Sequence, residues 1–247
     1  MSETIEREAY RYIPGPFQYS AGVVAKPGFA IERLRFANPV PLEDGFARIG
    51  AWLKAAGLPL SAFCACELRS PAPFTDAGFV AFNRIYVGTL ERWGIVANDR
   101  NPVARSNVCP EIDPPSTPSF HAFCISRPDS GMGKTFMIAG SGEAAEGAGP
   151  YSEKTVRYGE TSPDAMADKA RFVLGAMEQR MAAVGATWQD TTAAQVYTVH
   201  NPHPFFASEI VSRGAARHGL TWHYCRPPVV GLEYEMDCRA VGTERVL

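Results

Sequence analysis

Arg105 stands where a polar loop, Asn101-Pro102-Val103-Ala104, gives way to a β-like run ending at Cys109-Pro110. A guanidinium at such a junction is either a salt-bridged surface group or an anion receptor. Its planar fork suits a carboxylate held by two parallel hydrogen bonds, which a lysine holds less well. Ser106 and Asn107 add short polar groups and no competing charge. A second chemical stretch is Glu233, Glu235 and Asp237. Alternation along a strand puts these carboxylates on one face, where mutual repulsion raises at least one pKa toward the range useful for acid–base work. The competing reading is a solvent-facing strand edge with Tyr234, Met236 and Cys238 as its core face. His121 and His223 each fit either a water-orienting neutral imidazole or a hydrogen-bonded core histidine. Asn83 fits a polar contact near a site or a helix residue bonded to a loop. Cys109 lies beside the arginine run, and its role stays open.

Other patterns carry less. Gly131-Met132-Gly133-Lys134-Thr135 lacks the first glycine of a phosphate loop, since Pro128 stands there, and a strand rather than a helix follows it. His200 and His203 have metal-compatible spacing, but flanking prolines make a loop and no third ligand is evident, so no metal site is expected. Cys64 and Cys66 alternate on a strand and so point to one face, as small core residues. No other cysteine pair has ligand spacing, and six cysteines in 247 residues do not make a disulfide scaffold.

Two runs, Tyr19–Ala25 and Phe29–Phe36, are broken by Lys26-Pro27-Gly28 and read as a hairpin after an irregular lead-in over residues 1–16. Apolar spacing predicts helices over 42–56, from Phe79 to Trp93, over 164–184 and over 205–218, with Gly57, Gly94, Gly185 and Gly219 as stops. Strands are expected at 63–68, after Arg105, and at 120–126, 136–139, 192–199, 221–225 and 232–241. The polar stretch Pro128–Lys134 is the best linker. Leu53-Lys54-Ala55-Ala56-Gly57 answers to Met181-Ala182-Ala183-Val184-Gly185, and Pro73-Phe74 to Pro204-Phe205. An internal duplication explains the match, with domains at 1–130 and 131–247. Each half is then an α+β unit with two helices packed on one face of a mixed sheet.

A hydrophobic content of 46% and a charged content of 20% are those of an ordinary globular protein. The net charge of −2 argues against nucleic acid as the main partner. No apolar run approaches the ~20 residues that span a bilayer. The first residues are too charged for a signal peptide, which predicts a cytoplasmic protein.

The word Ala104-Arg105-Ser106-x-Val108 resembles the arginine signature of the RidA/YjgF family, small enamine and imine deaminases. Phe79-x-x-Phe82-Asn83-x-x-Tyr86 resembles that family's second helix, and Gly15-Pro16-Phe17 echoes its Gly-Pro-Tyr opening loop. Phe136 to Gly142 is similar to its Ser-Gly-Gln strand, and Leu232–Asp237 to its closing Glu-x-Glu strand. The chain thus looks like two degenerate copies in tandem. The first has His121 where the glutamate belongs, and the second has Trp222 or His223 where the arginine belongs. Gly149-Pro150-Tyr151-Ser152-Glu153 matches the opening word but follows the Ser-Gly strand, and reads as coincidence.

The resemblance implies βαβαββ-type, chorismate-mutase-like domains whose bare sheet faces associate around a three-fold axis, as a homotrimer. It implies a metal-free, cofactor-free hydrolase acting on an imine, an enamine or a related carboxylated metabolite. Arg105 would hold the substrate carboxylate, with Ser106, Asn83 and His223 as further binding residues. Glu235, Glu233 or His121 would activate water. A pairing of Arg105 from one half with carboxylates of the other is one arrangement of such a site. The alternatives are a non-catalytic binding protein of the same fold, or a chorismatase-like enzyme, for which the chain is short.

Overall fold

The computed structural model describes residues 4–129, 131–147 and 149–247. Residues 1–3 of the charged N-terminal stretch lie outside the described residues, as do Ser130, at the expected junction, and Ala148, in the glycine-rich connection. The chain opens with β1 (Ile5–Glu6), β2 (Tyr10–Ile13) and β3 (Gly22–Ala25). It continues through β4 (Phe29–Pro41), α1 (Leu42–Ala55), β5 (Phe63–Arg69), α2 (Asp76–Arg92), β6 (Ala104–Pro110) and β7 (Ser119–Pro128). Then come β8 (Phe136–Gly142), the single turn α3 (Tyr151–Lys154), α4 (Pro163–Ala183) and β9 (Ala193–Tyr197). Last are α5 (His203–Phe205, running into π-helical turns over Phe206–Val211), β10 (Thr221–His223), β11 (Cys225–Arg226), β12 (Glu235–Ala240) and β13 (Glu244–Val246).

The long helices start and stop by local chemistry. Thr75 caps α2 by accepting the Gly78 N–H at 3.1 Å, and Ser162 caps α4 by accepting that of Ala165 at 3.3 Å, with Pro163 opening the helix. Gly94 and Gly185, at φ +70° and +68°, end them in a conformation that costs a side chain energy.

Strand pairing makes the duplication explicit. The first half runs β4-β7-β5-β6 and the second β8-β12-β9-β10, each joined antiparallel, antiparallel, then parallel. The fold is α+β, built on two mixed sheets. Pairing also crosses residue 130. The β1-β2-β3 meander extends the second half's sheet at β8, while β11 and β13 extend the first half's sheet at β6 and β4. The N-terminal lead-in is therefore strand, and Tyr19–Ala25 and Phe29–Phe36 do not form the expected hairpin. The turn at Lys26-Pro27-Gly28 carries the chain from one sheet to the other.

Each half buries one sheet face under helices. Phe46, Ile49, Phe82 and Tyr86 of α1 and α2 meet Phe63, Phe120 and Phe123, whereas Met166, Val173 and Met177 of α4 meet Phe136, Val196 and Met236. The opposite faces cover one another within the chain. A third cluster draws Ile31, Cys64 and Cys124 from one sheet and Tyr12, Val23 and Met137 from the other. Cys64 joins this cluster while Cys66 faces α2, so the two do not share a face. A bulge between Phe63 and Ala65 breaks the alternation.

Two further expectations shift. The last helix of the second half is short and π-wound, and Gly214, at φ +86°, closes it before His218. The closing strand begins at Glu235, because the N–H groups of Glu233 and Tyr234 donate to the Glu143 carboxylate, at 2.6 and 3.1 Å, instead of to a strand. Burial raises the Glu143 pKa, and the Lys169 ammonium, 3.2 Å away on α4, holds it down. Both side chains are fully buried. This pair ties α4, the end of β8 and the start of β12 together. Lys169→Met should leave a buried charge unpaired and cost about 3–5 kcal/mol in denaturant unfolding at neutral pH. Glu143→Gln in the same chain should recover part of that loss.

Candidate active site

Arg105 lies on β6, paired in parallel register with Cys66, and its side chain is buried. Four rings surround the guanidinium: Tyr86, Tyr19, Phe82 and Phe79, at 4.9, 5.6, 5.7 and 5.8 Å to their centroids. Neither Nε nor Nη1 has a hydrogen-bond partner. Ring faces offset part of the desolvation of a cation, but they satisfy no N–H donor. An arginine so placed is stabilised by whatever anion enters the adjoining cavity.

That cavity, about 120 Å³, runs between the halves of the chain. Arg105, Asn107 and Phe79 line it from the first half. Gly140, Ser141, Glu146, Tyr151, Lys154, Arg180 and Glu235 line it from the second, and Pro16, Gln18 and Tyr19 from the loop between β2 and β3. Glu235 is the first residue of β12 and is buried. Burial, followed by repulsion from Asp237, pushes its carboxyl well above the ordinary carboxylate range, with Arg105 pulling the other way. The uncharged form of this carboxyl is thus favoured beside an arginine whose Nε and Nη1 are unpartnered, an arrangement that can offer a proton next to a place for an anion.

Gly140 makes the approach possible. A Cβ there would come within 2.1 Å of Glu235 Oε1 and 3.2 Å of the Ser106 Cα. Arg180 fixes the same strand end, donating from Nη1 to the carbonyls of Ala139 and Gly140, at 2.9 and 3.3 Å, and from Nη2 to Glu146 at 2.7 Å. Two phenols complete the wall. Tyr19 and Tyr151 are both pushed upward chiefly by burial, and both lie within the fields of Arg105 and Glu235. They remain protonated hydrogen-bond donors at neutral pH.

Of the residues given a catalytic or binding role from the sequence, Arg105 and Glu235 share this cavity, and Ser106, Asn83, Glu233, His121 and His223 do not line it. Ser106 points to the inter-sheet side and donates to Asp237 at 2.5 Å, with Gln195 and Tyr197 bonding the same carboxylate at 2.8 and 2.9 Å. Glu233 stands before the strand and pairs with His200 at 2.8 Å and Arg226 at 3.6 Å. His223 stacks on Tyr197 at 5.0 Å and bonds Gln195. His121 lies with Arg69, Glu67 and Arg33. Burial and the nearby Arg69 lower these two imidazoles to about 4 and about 3, so both are neutral. Asn83 is buried on α2 with its carboxamide unpartnered. Burial pushes the Cys109 thiol up, which leaves no thiolate nucleophile. Among the described residues no group of three His, Cys, Asp or Glu side chains is arranged to hold a metal ion. Among them, too, no helix is long and apolar enough to cross a membrane.

The repeat has only one such pairing. Arg105 faces Cys66 across its ladder as Trp222 faces Val196, and Phe123 and Met236 occupy the matching places on β7 and β12. Trp222 thus stands at the arginine position of the second copy, and Ala122 at the Glu235 position of the first. His121 sits in a bulge beside it.

Sequence reasoning passed over Gly140, Tyr19, Arg180, Lys154 and Tyr151. Gly149-Pro150-Tyr151 was a usable signal. It reads as coincidence by chain order, yet folding brings Tyr151 to the same cavity as the Pro16–Tyr19 loop.

Comparison with known proteins places the chain in a family. The family described as 2-aminomuconate deaminase CnbZ matches residues 2–245. A 2-amino-5-chloromuconate deaminase from Comamonas testosteroni is 50% identical over 240 residues, 96% of each chain. A crystal structure of a chorismatase shares the fold, with a TM-score of 0.56 at 9% identity over 97% of this chain and 79% of its own. A putative endoribonuclease from Thermotoga maritima aligns over 43% of this chain and 78% of its own, at 19% identity and a TM-score of 0.32. The RidA/YjgF resemblance thus gives way to a narrower placement: the chain is an enzyme and belongs to the 2-aminomuconate deaminase CnbZ family.

Proposed function

We propose that this chain hydrolyses the C2–N bond of an unsaturated 2-amino dicarboxylic acid of the 2-aminomuconate class. One observation carries the reading: a buried arginine whose Nε and Nη1 are unpartnered shares a cavity with a buried glutamate, whose carboxyl burial pushes well above the ordinary range. The family placement and the 50% identical deaminase support it. A RidA-like descent of the two halves fits the repeated strand order.

In this reading Arg105 takes the carboxylate next to C2, which fixes the reacting carbon against Glu235. Glu235 protonates the enamine at carbon, giving the C2 iminium. The resulting carboxylate takes a proton from water as its oxygen adds to C2. The carbinolamine then collapses: Glu235 gives that proton to nitrogen, the C–N bond breaks and ammonia leaves, and the hydroxyl proton passes to the Glu235 carboxylate as the C2 carbonyl forms. Water and the enamine become ammonia and a 2-oxo acid, and the glutamate ends protonated as it began. The hydroxyls of Tyr19 and Tyr151 are placed to orient the water.

Three outcomes test this. With 2-aminomuconate as substrate, Arg105→Met should lower kcat/KM by about 100- to 1,000-fold, because it removes a buried charged contact. Glu235→Gln should spare binding and lower kcat by about 100- to 10,000-fold. Normal turnover by the glutamine variant would reject the acid–base role and leave a binding protein. Gly140→Ala should mimic Glu235→Gln in kcat while the chain stays folded, since the added methyl displaces that carboxyl.

The proton can also be followed without substrate. A carboxyl whose folded pKa is raised stabilises the fold below its unfolded value, near 4.3, and that contribution is lost as pH rises toward the folded value. Unfolding free energy should therefore fall as pH climbs from about 5, with a slope of up to ~1.4 kcal/mol per pH unit for this group. Glu235→Gln should remove that share of the slope. Glu143 and Asp237, whose pKa values are also raised, keep the rest.

A further inference from the structure

Three cations and two carboxyl groups line the cavity. Arg180 is already satisfied, held by Glu146 and by the carbonyls of Ala139 and Gly140. Burial pushes the Glu235 carboxyl well above the ordinary carboxylate range, which favours its uncharged form. Two positive charges are left without an acidic partner: Arg105, buried deep in the wall, and Lys154, half-buried at its rim. The Lys154 ammonium meets a single protein acceptor among the described residues, the Gly147 carbonyl at 2.8 Å, and lies 4.4 Å above the centre of the Tyr151 ring. The Tyr151 phenol is in the field of Arg105 and Glu235. The Tyr151 ring thus carries Lys154 on a wall of the same cavity that Arg105 lines. Two unneutralised cations held apart match two carboxylates at the ends of one short chain.

We propose that Lys154 receives the far carboxylate of a dicarboxylate bound through its near carboxylate to Arg105, and so sets a preference for diacids over monoacids. This rests on the deaminase reading above for which end reacts, and on the cavity geometry alone for the second charge. Lys154 stays clear of the reacting carbon, so its contribution is to binding and not to the chemical step. The loop before α3 brings it there. Asp76, at the start of α2, accepts the Tyr151 N–H at 3.2 Å and ties that turn to the first half of the chain.

The test compares muconate with sorbate, the same six-carbon diene carrying two carboxylates or one, as ligands of the wild type, Lys154→Met and Lys154→Arg. Turnover of 2-aminomuconate is measured alongside. Lys154→Met should weaken muconate binding and raise KM by about 10- to 100-fold, the worth of one charged hydrogen bond, with kcat held within about threefold. Sorbate binding should stay within about twofold, and Lys154→Arg should recover most of the muconate loss. Equal weakening of both ligands would assign Lys154 a structural role through Gly147 and overturn the proposal, as would no change in either. If the wild type releases no ammonia from 2-aminomuconate, the deaminase reading falls, while the ratio of muconate to sorbate affinity still decides the part of Lys154.

Discussion

A guanidinium buried without a counter-ion is the constraint around which this molecule is arranged. Taking a cation from water costs several kcal/mol unless something compensates. Around Arg105 the compensation is four aromatic rings and an adjoining cavity, and no carboxylate. A neighbouring carboxylate would pair with it and close the receptor. The nearby acid must therefore favour its neutral form, and burial and Asp237 push Glu235 that way against the pull of Arg105. Receptor and acid can then stand side by side without cancelling one another.

Keeping them side by side is the work of the duplicated fold. Arg105 comes from one half and Glu235 from the other, so any slip between halves would spoil the site. The edge strands oppose such a slip. The β1-β2-β3 meander joins the second sheet, and β11 and β13 join the first, so each half carries backbone hydrogen bonds from the other. The buried Lys169–Glu143 pair then sets where β12 begins, one residue beyond Tyr234. Divergence has used the repeat unevenly. Trp222 fills the arginine position of the second copy and Ala122 the glutamate position of the first, so the two halves bring different residues to the cavity between them.

Much of this was legible in the sequence, and what was not has physical causes. Helices α1, α2 and α4 follow their apolar spacing and glycine stops, all local signals. Arg105 was legible as one of two alternatives, and the word Ala104-Arg105-Ser106-x-Val108, through its family resemblance, favoured the receptor. Glu235 was legible only as one of three carboxylates. Separating them required knowing that Glu143 claims the N–H groups before β12, so that Glu233 never enters the strand. The strand β3 was misjudged because one of its partners, β8, lies more than a hundred residues away, and β2, which pairs with β1 and β3, was read as irregular lead-in. Cys64 and Cys66 were set on one face because alternation cannot reveal a bulge. Tyr151 was dismissed because chain order was taken for spatial order.

The most direct measurement is a crystal structure of the wild-type chain with muconate bound, an unreactive diacid with the carbon skeleton of the proposed substrate. The account predicts one molecule per chain in the cavity between the halves. One carboxylate should accept hydrogen bonds from Arg105 through its now unpartnered nitrogens, with the Glu235 carboxyl against the carbon next to that carboxylate. A muconate bound elsewhere with Arg105 still unpartnered, or one held by Arg105 with Glu235 turned away from the carbon chain, would contradict it.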